Sequence, residues 1–171
     1  DFTAPLLLTR LALPHLVKSK RGLLIQVSSS ISHVAYPIFG AYGACKAGLS
    51  YFSDALRREF VGTKVKVCLV EPGPIRTQFL SRATDGLSEG DPKKVMIDQW
   101  PGLIFGTPER VASDMIRCLG RPKSRIFALR RAVYPLWLAG VTFRLFPSLG
   151  DWLVGRSIKQ ARLNATEEST A

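Results

Sequence analysis

Ala41-Tyr42-Gly43-Ala44-Cys45-Lys46-Ala47, preceded by Val27-Ser28-Ser29-Ser30, sets how the rest of this chain is read. As a helix, the segment places Tyr42 and Lys46 at i and i+4, so phenol and ammonium share one face about one turn apart. A free phenol titrates near pH ~10, and a fixed cation beside it favours the phenolate, which is expected to bring the value down toward working pH. Such a tyrosine can give or take a proton at a carbonyl or alcohol oxygen. The pair gains weight only from its flanks, because the chain has four tyrosines and lysine is a common neighbour. The plainer alternative is a surface helix with a solvated lysine.

The flanks favour the chemical reading. Gly22-Leu23-Leu24-Ile25-Gln26-Val27 is an apolar run of buried-strand type, and Ser29 follows it, thirteen residues before Tyr42. A serine where a buried strand ends lies at the carboxyl edge of the sheet, where open α/β sheets bind ligands. Downstream, Lys64 to Val70 has the β-branched character of a second strand and runs into Glu71-Pro72-Gly73-Pro74-Ile75-Arg76-Thr77. Strand, helix, strand and a Pro-Gly turn make a parallel β-α-β unit, so Ser29, Tyr42 and Thr77 can converge at one edge.

In type, order and spacing, Ser29, Tyr42-Gly43-Ala44-Cys45-Lys46 and Pro72-Gly73-Pro74-Ile75-Arg76-Thr77 resemble the C-terminal half of the short-chain dehydrogenase/reductase family. The resemblance runs from Asp1 to about Leu119. Val34-Ala35-Tyr36-Pro37 also resembles the membrane-associated hydroxysteroid dehydrogenase-like members. The family implies an α/β fold with a Rossmann-type, doubly wound parallel sheet whose N-terminal part would be missing here. It implies NAD or NADP as cofactor and hydride transfer between an alcohol and a ketone or aldehyde. Tyr42 would then be the general acid/base, Ser29 would hydrogen-bond the reacting oxygen, and Lys46 would tune Tyr42 and bind the nicotinamide ribose. Thr77, with the backbone at Pro72, Gly73 and Ile75, would hold the nicotinamide carboxamide. Asp1 stands where the family has an asparagine that opens a helix and holds a relay water; an aspartate accepts hydrogen bonds there but cannot donate them.

Composition bounds the rest. A chain of 171 residues, 46% hydrophobic and 22% charged, suits one domain with a sizeable core. Cys45, Cys68 and Cys118 are odd in number and show no Cys-x-x-Cys spacing, so neither a disulfide framework nor a zinc site is expected. Cys68 and Cys118 read as core filler. His15 and His33 read as isolated from carboxylates, which argues against a metal site.

Around the central unit, Asp1 to about Val17 reads as an amphipathic helix bent or ended by Pro14. The apolar loop from Ser30 to Gly40 can line a substrate pocket or pack over the sheet edge. A long helix from about Ala41 to Phe60 turns Leu49, Phe52, Leu56 and Phe60 to one side. In the family this helix forms much of a dimer surface, so a homo-oligomer is expected. From Thr77 to Gly106 the glycines and prolines predict a long irregular stretch, read as a lid. Its Phe79, Leu80, Leu87, Met96, Trp100, Leu103 and Phe105 either line a lipophilic substrate pocket or cover the sheet. Thr107-Pro108-Glu109 opens a helix through Leu119, and Ser124 to Leu129 reads as a last strand.

The net charge of +11 is concentrated in the tail: from Gly120 to Arg162 nine basic residues face one acid, Asp151. Ala132 to Phe143 is mostly apolar, interrupted by Pro135 and Gly140, and falls short of the ~20 residues that a spanning helix needs. With Tyr134, Trp137, Phe143, Phe146 and Trp152 between cations, it reads as a segment in the interface of an anionic membrane. A cover over the substrate site and a subunit interface are the competing readings. No nucleic-acid recognition motif accompanies the charge.

The expected organisation is therefore 1–130 as the C-terminal part of the dinucleotide-binding domain, 131–163 as a basic, apolar helical tail, and 164–171 as a disordered end. The expected location is cytoplasmic, with peripheral membrane contact. No glycine-rich turn follows a first strand, so the chain reads as a fragment lacking most of a cofactor site. The alternative to an enzyme is a truncated, non-catalytic remnant that dimerises or sits on membranes.

Overall fold

A computed structural model describes residues 1–171 apart from 76, 89, 90, 99, 101, 129 and 171; at 92, 93, 96, 103, 130–132, 164, 165 and 167–170 it describes only the backbone. Arg76, Gly90, Pro101 and Leu129 thus lie outside the described residues, as do the side chains of Pro92, Met96 and Leu103.

Among the described residues three parallel strands form the sheet in the order β1-β2-β3: β1 (Leu23–Val27), β2 (Lys66–Pro72) and β3 (Arg125–Ala128). The register sets Ile25 beside Cys68 and Val70 beside Ile126. Every β2 residue after Lys66 is buried, which is why Val67-Cys68-Leu69-Val70 reads as a continuous apolar run rather than an alternating one. Cys68, Val70, Ile126 and Ala128 pack with Val111 and Cys118 of α5 (Pro108–Gly120) in one core cluster. Burial and the neighbouring Cys118 push the Cys68 thiol up to about 12, so it behaves as an apolar filler. α5 begins as expected: Thr107 Oγ1 accepts the Arg110 N–H, and Pro108 takes the first turn.

α1 (Thr3–Lys18) continues through Pro14. It is tied to β1 by Gln26 Nε2, which donates to Thr9 Oγ1 at 2.6 Å in a buried contact. Leu7, Leu8 and Leu11 remain exposed on it. α2 (Gly40–Glu59) crosses from β1 to β2 and buries Leu49, Ser50, Ser53 and Leu56, while Phe52 and Phe60 sit at the margin.

The stretch from Thr77 to Gly106 is not irregular. It holds α3 (Phe79–Ala83), α4 (Pro92–Asp98) and a 3-10 turn, Gly102–Ile104. Glycine and proline punctuate these short helices instead of excluding them, with Gly86 at φ 81 between the first two. The excursion is pinched shut where Gly106 N–H donates to the Pro74 carbonyl at 2.9 Å.

The tail is a hairpin of α6 (Arg130–Leu145) and α7 (Pro147–Thr170), and α7 is helical as far as Thr170. α6 packs on β3 and on the 3-10 turn at Ser30–Ser32, and α7 on α4 and α6. Gly140 does not interrupt α6; it is the point of closest approach, since a Cβ there would lie 2.1 Å from the His33 carbonyl oxygen. α6 buries Val133 completely and leaves Tyr134, Trp137, Leu138 and Val141 exposed.

Candidate active site

β1 ends at Val27 and is followed by Ser28 and Ser29 at the carboxyl edge of the sheet, and each serine has a different task. Ser28 Oγ donates to the Lys46 carbonyl at 2.9 Å and receives Ser50 Oγ at 2.7 Å, locking the first turns of α2 against β1. Ser29 is extended and caps the 3-10 turn, its Oγ accepting the Ile31 N–H at 3.3 Å. This leaves the Ser29 hydroxyl beside Tyr42.

Tyr42 is half-buried against Phe79, 4.9 Å between ring centroids, and Phe39, 6.3 Å. Lys46 Nζ lies 5.7 Å from the Tyr42 ring centroid, as the one-turn spacing requires, and donates to the Val27 carbonyl at 3.1 Å. The expected lowering of the phenol is not found. Burial raises Tyr42 above its ordinary value, opposed by the Ser29 hydroxyl, and burial also lowers Lys46, opposed by Cys45. Desolvation wins because it penalises both charged forms at once, and the ammonium is directed at a backbone carbonyl rather than at the phenol oxygen.

Ser29, Tyr42 and Lys46 open on one cavity of about 380 Å³. Pro72, Gly73, Ile75 and Thr77 line it too, so the expected catalytic and cofactor-binding residues border a single space. Apart from Ser28 and Ser30, the remaining wall is mostly apolar and draws on distant segments: Val34, Tyr36 and Phe39 before α2, Phe79 and Leu80 on α3, Trp100, Ile104, and Leu136 of α6. Trp100 Nε1 donates to Tyr36 Oη at 2.8 Å, fixing two of these rings. The tail hairpin thus contributes to the cover of the cavity through Leu136, one of the readings left open above.

A second polar cluster lies behind the first and escaped the sequence reading. Glu71, fully buried in β2, accepts from Ser50 Oγ at 3.1 Å and Ser32 Oγ at 3.3 Å, and from Arg125 Nη1 at 3.0 Å. His33 is not isolated from carboxylates: its Nε2 is 3.1 Å from Glu71 Oε1. The β-α-β crossover joins residues that the sequence keeps far apart. A charged residue inside an apolar strand run, Glu71 after Val70, is the one signal that could have pointed to it.

Residues 1–87 match the family model described as short chain dehydrogenase. The dehydrogenase/reductase SDR family member 7B of Xenopus tropicalis is 29% identical over 150 residues, covering 85% of this chain and 47% of that protein. An uncharacterized oxidoreductase of Escherichia coli K12, YbbO, is 32% identical over 147 residues, covering 82% of this chain and 50% of its own length. Among solved structures, serine dehydrogenase in its closed form with NADP+ superposes with a TM-score of 0.59 at 28% identity, over 72% of this chain and 50% of that one. The chain therefore spans about half the length of the curated relatives it matches.

Proposed function

Because the chain belongs to the short-chain dehydrogenase/reductase family, we propose that the protein is an NAD(P)-dependent oxidoreductase interconverting an alcohol and a ketone or aldehyde, with Tyr42 as general acid/base. The observation that carries this is the convergence of Ser29, Tyr42 and Lys46 on one largely apolar cavity at the carboxyl edge of a parallel sheet.

The residues present suit the nicotinamide end of the cofactor. Lys46 and Tyr42 offer donors to ribose hydroxyls, and Thr77 beside Pro72, Gly73 and Ile75 offers a hydroxyl and backbone groups to a carboxamide. When bound, the cofactor supplies or accepts the hydride. The protein's part is positional and protic. The substrate oxygen sits between the Ser29 and Tyr42 hydroxyls, Ser29 donates a hydrogen bond to it, and Tyr42 gives its proton as a carbonyl is reduced or accepts one as an alcohol is oxidised. A phenol raised by burial rests protonated at neutral pH, ready to act as the acid. The aromatic and aliphatic wall favours a lipophilic small molecule over a polar one.

Two further features belong to the same reading. The outer face of α2, with Tyr51 78% exposed, supports self-association into a homo-oligomer. The exposed Trp137, Leu138, Phe146 and Trp152, close in sequence to Arg144 and Arg156, support peripheral contact with an anionic membrane. Among the described residues no helix is long and apolar enough to cross a membrane.

The test is fluorescence titration with NADH and NADPH of this chain and of the protein at its natural full length. Binding with turnover of ketones by the full-length form supports the reading and names the cofactor. Binding by neither form overturns it.

A further inference from the structure

Glu71 is a charged side chain that the reaction outlined above does not use, and it is fully buried. A carboxylate inside a sheet costs more than an apolar residue of its size unless what it holds repays the lost water. Glu71 Oε1 accepts from Ser32 Oγ at 3.3 Å and from Ser50 Oγ at 3.1 Å. The two hydroxyls belong to different elements: Ser32 to the 3-10 turn that Ser29 caps, Ser50 to α2, one turn past Lys46.

Each hydroxyl passes the tie on toward a candidate reacting group. Ser32 Oγ also donates to the Ser29 carbonyl at 2.7 Å. Ser50 Oγ also donates to Ser28 Oγ at 2.7 Å, and Ser28 Oγ donates to the Lys46 carbonyl at 2.9 Å. One carboxylate oxygen on β2 thus joins the backbone that carries Ser29 to the backbone that carries Lys46. His33 Nε2, at the end of the same turn, stands 3.1 Å from that oxygen. The other oxygen, Oε2, accepts Arg125 Nη1 at 3.0 Å, and Arg125 also reaches Asp54 on α2 at 2.6 Å. The two oxygens therefore have separable tasks: Oε1 gathers the serines, and Oε2 carries the ion pair.

Resting on the oxidoreductase reading, we propose that Glu71 is a positioning residue for the reaction: through Ser32 and Ser50 it sets where the Ser29 hydroxyl stands relative to Tyr42 and Lys46. None of Ser32, Ser50 and Glu71 borders the Tyr42 cavity, so the action is on the reacting groups and not on substrate or cofactor. Hydrogen bonds to an ionised acceptor are the stronger kind, which suits a carboxylate to hold two backbone segments in register. Without Oε1 each serine keeps its other partner, so the fold survives, but turn and helix no longer meet at a common atom. Proton transfer feels such a loss, because a misplacement of about 1 Å costs on the order of 10²-fold in rate.

Three variants of the full-length protein separate the two tasks. Glu71→Ala removes both oxygens, Glu71→Gln keeps an acceptor for the serines while giving up the charge, and Asp54→Asn weakens the ion pair and leaves Oε1 in place. In ketone reduction, Glu71→Ala should lower kcat by about 10–100-fold with the KM for the dinucleotide held within about twofold. Glu71→Gln should recover most of that loss, and Asp54→Asn should lower Tm with kcat unchanged. Hydrogen exchange at the Ile31 to His33 amides, read by mass spectrometry, should quicken several-fold in Glu71→Ala and not in Glu71→Gln. If Glu71→Ala does not fold, Ser50→Ala cuts the tie from the α2 side alone and carries the same expectation. A kcat in Glu71→Ala close to that of the unaltered protein overturns the proposal and leaves the oxidoreductase reading standing. So does an equal loss of kcat in Asp54→Asn, since the rate then follows stability, or a Glu71→Gln no faster than Glu71→Ala. Ketones left unreduced by the unaltered protein overturn the oxidoreductase reading instead; quickened exchange in Glu71→Ala then supports the tie, and unchanged exchange overturns it as well.

Discussion

Lys46 Nζ donates to the carbonyl of Val27, the last residue of β1, at 3.1 Å. The ammonium is thereby anchored to the end of the strand two residues before Ser29, so strand and helix cannot shift independently without breaking a charge-assisted bond. The relative placement of hydroxyl, phenol and ammonium is a property of this junction.

Replacing Tyr42 by phenylalanine removes only the phenolic oxygen and keeps the ring against Phe79 and Phe39. Turnover is expected to fall about 10²–10⁴-fold, the usual contribution of a general acid, with dinucleotide affinity largely kept. Steady-state rates together with a cofactor titration check this; near-normal turnover would remove Tyr42 from the proton-transfer role.

Burial holds Tyr42 above the ordinary 10.0. Carbonyl reduction, which consumes the phenol proton, should therefore keep its rate through neutrality and fall only as pH rises past about 10. Oxidation should gain over the same range. Because the folded state binds this proton more tightly than the unfolded chain, the associated stability is whole below pH about 10 and drains above it. A kcat for reduction that already falls as pH rises through neutrality would assign the proton to another group.

Glu71 is fully buried and partnered by Ser32, Ser50 and Arg125. Glu71→Ala takes one carboxylate from the Arg125 guanidinium, which keeps Asp54 at 2.6 Å, while Ser50 Oγ keeps Ser28 Oγ and Ser32 Oγ keeps the Ser29 carbonyl, each at 2.7 Å, so the cost is about 1–3 kcal/mol. Urea unfolding measures it. A loss below about 1 kcal/mol would mean that water replaces the carboxylate at no cost.

Two glycines on the tail hairpin should respond oppositely to alanine. At Gly140 the added Cβ would lie 2.1 Å from the His33 carbonyl oxygen, and backbone must move, costing about 1–3 kcal/mol. At Gly155 the Cβ meets open space, and the helix should gain about 0.8–1.0 kcal/mol. Paired thermal melts decide; equal shifts would contradict the close packing of α6 on the loop at His33.

Exposed Trp152 lies beneath the Arg156 guanidinium, 5.6 Å from its ring centroid. If this face rests on anionic lipid, Arg156→Glu with Arg144→Glu should lower co-sedimentation with phosphatidylserine vesicles several-fold, and added salt should do the same to the unaltered protein. Equal sedimentation with neutral and anionic vesicles would show that the charges play no part.

What the sequence disclosed was whatever depends on short spacing. The Tyr42–Lys46 pair, the strand run ending at Val27 and the Thr107-Pro108-Glu109 helix start have the positions read for them, while the second strand, read as Lys64 to Val70, lies two residues later at Lys66–Pro72. What it withheld depends on who meets whom across the fold. Nothing local shows that Glu71 receives Arg125 or that His33 stands beside it, and nothing local separates a helix-breaking glycine from Gly140, which makes room for a carbonyl. The direction of the Tyr42 shift failed for the same reason, since spacing reports the neighbouring cation but not the water that burial removes.

The order of the three strands has a consequence for how the chain acquires its structure. Parallel neighbours cannot be joined by a tight turn, so Ile25 meets Cys68 only after α2 has crossed over. The Glu71–Arg125 contact then spans 54 residues of chain. Loop-closure entropy is spent on each of these long-range pairings before any packing repays it. Folding is therefore governed by closures rather than by hairpins, and the Glu71 carboxylate gains its guanidinium partner only when β3 arrives. Until then a carboxylate without its guanidinium stands on the open edge of β2, which discourages a foreign strand from taking the place of β3.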